Sequence, residues 1–93
     1  MANKKTLDEG YLISVLDKNR TRHFAALGEG KVELVSYMGL PNFYDFLKCE
    51  TKANARGFFN DVNNAAKDMA AKGELELPIT KKIVKYTIEV EED

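Results

Sequence analysis

The longest periodic stretch of the chain runs from Thr51 to Lys72. At about 100° per residue, Ala55, Phe58, Phe59, Val62, Ala65, Ala66, Met69 and Ala70 fall within an arc of roughly 140°, the stripe of a helix lying on a core. The opposite arc carries Lys52, Arg56, Asn60, Asp61, Asn63, Asn64, Lys67 and Asp68. Thr51 has the hydroxyl of an N-cap, and Gly73 suits the left-handed position after a last turn. The pattern predicts one long amphipathic helix over Thr51–Lys72.

Elsewhere the period is two. Tyr11–Asp17 (YLISVLD) sets Tyr11, Ile13 and Val15 on one face and Leu12, Ser14 and Leu16 on the other, as in a strand covered on both sides. Thr6 to Glu9 also has the spacing of a capping box, which leaves a helix open for residues 6–17; Gly10 and the β-rich run favour the strand. Arg22–Leu27 reads as a second strand. Gly28-Glu-Gly30 is a hairpin turn, and Lys31–Met38 alternates as a third strand. The apolar positions divide into Leu12, Leu16, Val32 and Leu34 on one side of this meander and Ile13, Val15 and Val35 on the other. One helix covers one face, so part of the sheet is expected to await a partner or a second copy.

Pro41 suits the first turn of a short helix, Asn42–Lys48, with Phe43, Phe46 and Leu47 turned inward. Glu74–Leu77 alternates as a short strand ended by Pro78. Lys82–Val90 is the last strand, with Val84, Tyr86, Ile88 and Val90 expected to face the core. The expected order is β-β-β-α-α-β-β. The fold class is α+β: a small antiparallel meander of three N-terminal strands plus a C-terminal strand or hairpin, one long helix across one face, and a short helix before it. Residues 1–93 make a single domain, with 1–7 flexible and 91–93 a solvated acidic tail.

Composition narrows the function classes. Hydrophobic residues at 44% and charged residues at 31% speak against wholesale disorder. A formal charge of −1 gives no global attraction to nucleic acid or an anionic membrane, so any basic footprint is local. Cys49 is the only cysteine, so no internal disulfide forms. No apolar run reaches the ~18 residues of a membrane span, and the first ten residues lack the apolar stretch of a leader. These features predict a soluble cytoplasmic protein without a cofactor.

His23 and Cys49 are the sole residues of their kinds, which excludes two-histidine zinc motifs. Their one chemical option is a thiolate dyad, for which the sequence supplies no orienting third group. Gly28-Glu-Gly30 lacks the lysine and the following helix of a phosphate loop. No catalytic or metal-binding residue is assigned.

Three basic clusters remain. Lys52, Arg56, Asn60, Asn63 and Lys67 line one edge of the long helix. Lys18, Arg20, Arg22 and His23 crowd the first hairpin, and Lys81, Lys82 and Lys85 decorate the last. Lysine and arginine neutralise phosphates, and arginine or asparagine can read base edges. In a winged helix the long helix would be the reader and Lys81-Lys82 the wing tip. The order of Tyr11 to Leu47 (YLISVLDKNRTRHFAAL, then VELVSY and FYDFL) also resembles the strand–hairpin–strand–helix order of a PUR repeat, a single-strand nucleic-acid-binding module. The resemblance covers about 37 residues. Thr21-Arg22-His23-Phe24 stands where that family has glycine-arginine-phenylalanine, and a fourth strand before the helix is missing.

The leading expectation is a small non-catalytic binding protein that occupies a surface on a protein partner, in the manner of an accessory or inhibitor, or that self-associates through a strand edge or sheet face. The alternative is a nucleic-acid-binding regulator using the basic helix edge and hairpin tips.

Overall fold

The computed structural model describes residues 3–36 and 46–92. Its elements are β1 (Asn3–Leu16), β2 (Arg22–Gly28), β3 (Lys31–Ser36), α1 (Lys52–Gly57), α2 (Phe59–Ala71) and β4 (Thr80–Glu92). The four strands form one antiparallel sheet in the order β3-β2-β1-β4, so the first and last strands are neighbours. This is a small α+β fold, as the alternation and the helical stripe predict.

Period two divides the sheet's side chains between two layers. On the helix face, Ile13, Val15, Ala25, Val32 and Leu34 pack with Ala55, Val62, Ala65, Ala66 and Leu75. Ile13, Val15 and Val62 are the largest side chains fully removed from solvent. On the second face, Leu12, Phe24 and Phe46 form a smaller cluster, with Val35, Val84 and Tyr86 half-buried against it. The Phe24 and Phe46 rings stack with centroids 5.2 Å apart. The expected partition is therefore corrected. Val32 and Leu34 share a face with Ile13 and Val15, not with Leu12, because Ala25 opposite Leu34 and His23 opposite Val15 fix the register.

The predicted long helix is two. Thr51 caps α1 by accepting a hydrogen bond from the Asn54 amide at 3.0 Å, as expected of its hydroxyl. At Phe58 the amide turns back to the Ala55 carbonyl and the helix restarts at Phe59. Gly57, a poor helix former, ends the first segment. The break lets α1 lie against β1 and β4 while α2 lies against β3. Gly73 takes the left-handed conformation (φ 76°) that closes α2.

Three further expectations are corrected. Of the predicted helix Asn42–Lys48, residues 42–45 lie outside the described residues, and Phe46–Lys48 is not helical. β1 and β2 pair over Ser14–Leu16 alone. Beyond that the segment 46–49 bonds to both strands: the Leu47 amide donates to the Ala25 carbonyl (3.0 Å), and Cys49 and Tyr11 exchange two backbone bonds of 2.8 and 2.9 Å. Phe46 enters the second-face cluster while Leu47 and Cys49 enter the helix-face core, a two-sided burial that an extended segment achieves by alternation.

Glu74–Leu77 is not a strand. The Glu74 amide closes on the Met69 carbonyl, Leu75 anchors in the core, and the Glu76 carbonyl accepts from the Lys18 amide at 3.0 Å. The Leu77–Pro78 bond is cis. Finally, Asn3–Leu7 of the expected flexible start and Glu91–Glu92 of the expected acidic tail lie in strands. β1 begins at Asn3 and pairs with β4 out to Glu92, with a register shift between Thr6 and Asp8. Sequence-distant pairing of the two termini leaves no local signal in either.

Candidate functional site

The predicted basic residues are distributed over α1, α2, the β1–β2 turn and β4. Lys52 and Arg56 lie on α1 and Asn60, Asn63 and Lys67 on α2, so the break at Phe58 divides the helix edge between two segments. Asn63 and Lys81 are joined: the Lys81 ammonium donates to Asn63 Oδ1 at 2.7 Å and sits 5.4 Å from the Phe59 ring centre. This pair ties β4 to α2. Lys81 and Lys82 lie inside the sheet, opposite Val15 and Ser14, and project to opposite faces. They are not the tip of a wing, because the preceding strand of that hairpin does not form. Arg22 is exposed on the second face and donates to Ser14 Oγ at 3.1 Å. Lys18 and Arg20 are exposed at the β1–β2 turn, where Arg20 takes φ 66°.

His23, expected among the binding residues at the tip of the first hairpin, is buried instead. Its Nε2 stands 3.6 Å from Asp17 Oδ2, and both side chains are almost fully enclosed. The Asp17 carboxylate also accepts from the Thr21 amide at 2.9 Å. Burial pulls its pKa upward, but the Thr21 bond and His23 outweigh this and hold it below its ordinary value. The Thr21–Asp17 bond closes the first turn, and neither buried His23 nitrogen has a hydrogen-bond partner among the described residues. Cys49 is opposite Tyr11 and His23 is opposite Val15, four residues along β1, or roughly 13 Å at about 3.3 Å per residue. That separation rules out a Cys49–His23 dyad. Burial raises the Cys49 pKa, which makes the thiol a poorer nucleophile.

The feature that the basic clusters do not account for is the outer side of β4. Among the described residues no strand pairs there. Tyr11 spends its amide and carbonyl on Cys49, on the side away from β4. Its pair with Lys85 is therefore a non-hydrogen-bonded one, and the alternation of an antiparallel ladder turns the backbone groups of Lys85 outward. Lys81, Ile83 and Thr87 share that orientation. β4 carries it on to Glu89 and Glu91, since the register shift lies in β1.

This edge continues past the body of the sheet. Residues 4–9 of β1 are exposed, apart from the pairing with β4. Leu7 and Val90 are 59% and 36% exposed on this two-stranded ribbon. At its root the Tyr86 hydroxyl donates to Asp8 Oδ2 at 3.2 Å. Burial, and then the Asp8 charge and hydrogen bond, raise the Tyr86 pKa. Lys85 lies 3.9 Å from Glu9, both well exposed.

The sequence pattern suggests a charged edge here, with Lys82 and Lys85 followed by Glu89 to Asp93, and the structure adds which backbone groups face outward. The visible signal was its charge order, lysines first and glutamates last. A groove between β3 and α2 is lined by Val32, Leu34, Ala65 and Met69 and by the exposed Lys31–Asp68 pair, 3.8 Å apart. No helix among the described residues is long and apolar enough to cross a membrane. No family model matches the chain, and comparison with curated proteins and with solved structures gave no match.

Proposed function

We propose that this is a non-catalytic binding protein that takes up an extended strand of a protein partner along the outer edge of β4. One observation carries the reading: a strand of thirteen residues whose outer side no strand among the described residues pairs, ending in a two-stranded ribbon with β1. An isolated pair of strands is marginal in water, and a third strand converts it into a sheet. Strand addition draws affinity from main-chain bonds and specificity from alternate side chains, and β4 offers both. Its outward amides recur at every second residue. Between them Val84, Tyr86, Ile88 and Val90 line the second face.

Selection of short random-sequence peptides against the full chain, followed by site-resolved amide exchange of each complex, tests this. Bound peptides are expected to slow exchange at Ile83, Lys85, Thr87 and Glu89 and to leave α2 unchanged. Recovery of binders that protect only other surfaces, or of none, contradicts the proposal.

A further inference from the structure

The geometry points to β4 of a second copy of this chain as the strand accepted, paired antiparallel about a two-fold axis at Thr87; this rests on reading the β4 edge as a strand acceptor. The first half of β4 carries Lys81, Lys82 and Lys85, and the second half carries Glu89 and Glu91. Parallel pairing of two such strands aligns lysine with lysine, whereas antiparallel pairing opposes them. Opposite charges facing across strands stabilise a pair and like charges oppose it. Lysines on an edge generally deter pairing with strangers, and this charge order deters all but a strand with the complementary order.

The register follows from the backbone. Outward amides belong to odd-numbered residues, so odd positions must face odd positions, which also keeps both pairs of helices on one face of the joined sheet. With the axis at Thr87, Lys85 faces Glu89 of the second copy, and this occurs twice. On the second face Val84 meets Val90 and Tyr86 meets Ile88, so the four apolar side chains of β4 form one strip across the junction. Moving the axis to Lys85 sets Lys85 against itself, and moving it to Glu89 sets Glu89 against itself. An axis at Tyr86 leaves Lys85 facing Thr87 and Lys82 facing Val90, and an axis at Ile88 turns Thr87 onto Glu89. The Thr87 register alone sets all four apolar side chains of the second face against one another while Lys85 faces a glutamate, and it leaves Ile83 facing Glu91.

It also resolves the exposed ribbon. The end of β4 from one copy lies beside Ile83 and Val84 of the other, where the sheet is broad, and each two-stranded ribbon gains neighbours. The result is a continuous eight-stranded sheet with β3 at both margins.

Sedimentation equilibrium of the full chain tests this with Lys85→Glu, Glu89→Lys and an equimolar mixture of the two. These side chains are exposed, and circular dichroism with thermal melting checks that each variant folds. Wild type is expected to be dimeric, and each single variant to dimerise at least about tenfold more weakly, since two attractive pairs become repulsive. The mixture is expected to recover the dimer, because Glu at 85 then faces Lys at 89 and the wild-type pair persists on the other side. A monomeric wild type at all soluble concentrations, single variants that dimerise as well as wild type, or a mixture that stays monomeric overturns the inference. If wild type is monomeric but a selected peptide still protects β4, self-pairing alone falls. If no strand protects β4 under any condition, the reading beneath it falls too.

Discussion

Gly10→Ala probes the junction on which the sheet's architecture depends. Gly10 lies opposite Tyr86 on β1, next to Tyr11, where the segment 46–49 is stitched in. A Cβ there would stand 2.7 Å from the Cys49 carbonyl oxygen and 2.9 Å from both Cε1 and the hydroxyl of Tyr86. The ring can yield by rotating, at the expense of its bond to Asp8. The carbonyl cannot, because Cys49 is held by two backbone bonds to Tyr11. Overpacking of this kind costs about 1–3 kcal/mol. Replacing glycine with alanine returns about 0.4–1 kcal/mol through the unfolded chain. The net expectation is a loss of about 1–2 kcal/mol, or a fall in melting temperature of roughly 5–15 °C for a domain of this size. Urea denaturation monitored by circular dichroism measures it, and Gly10→Ala with Tyr86→Leu should recover only the ring's share. A neutral or stabilising Gly10→Ala would refute the close approach.

Three further outcomes follow from the geometry. Asp17→Asn should destabilise by about 1–2 kcal/mol at neutral pH, since it discharges the carboxylate beside His23 while leaving an acceptor for Thr21. A carboxyl held low contributes fully above its ordinary 3.8 and loses that contribution as pH falls through its folded value, so the two proteins' stabilities should converge in acid; a gap that persists at low pH speaks against it. Gly57→Ala should stabilise by about 0.5–1 kcal/mol, because a Cβ there meets open space and α1 gains helix propensity; a loss in chemical denaturation would show that the break requires glycine. Tyr86 should ionise above its ordinary 10.0, seen as a late step in ultraviolet titration that Tyr86→Phe removes. Stability contributed by that neutral phenol is present below 10.0 and fades as pH rises through the folded value.

Local chemistry carried much of the fold. The Thr51 cap, the Gly73 stop and the stripe through Val62, Ala65 and Ala66 were legible because each depends on residues within one or two turns. The alternation in β1 to β4 was legible for the same reason. Which faces joined was not, since that depends on His23 meeting Val15 rather than Leu16, a matter of one residue in register. Phe43, Phe46 and Leu47 have helical spacing, yet Phe46 and Leu47 serve opposite layers of the sheet, which periodicity alone cannot distinguish. Pairing of Lys4 and Lys5 with Glu91 and Val90 joins positions more than eighty residues apart, and the sequence there reads only as two charged ends. The candidate site was half legible. The lysine-to-glutamate order of β4 is plain in the sequence, but its place at the sheet's margin depends on the strand order, and which of its amides face outward depends on the Tyr11–Cys49 bonds.

The most direct test of the β4 edge is site-resolved amide hydrogen exchange along that strand, in the dilute chain, at high concentration and with a selected peptide. The amides of Val84, Tyr86 and Ile88 should be protected throughout, because they bond to β1. Those of Ile83, Lys85, Thr87 and Glu89 should exchange freely in the dilute chain and slow only when a strand is added. Odd-numbered amides already protected in the dilute chain, or unprotected under all three conditions, would contradict the account.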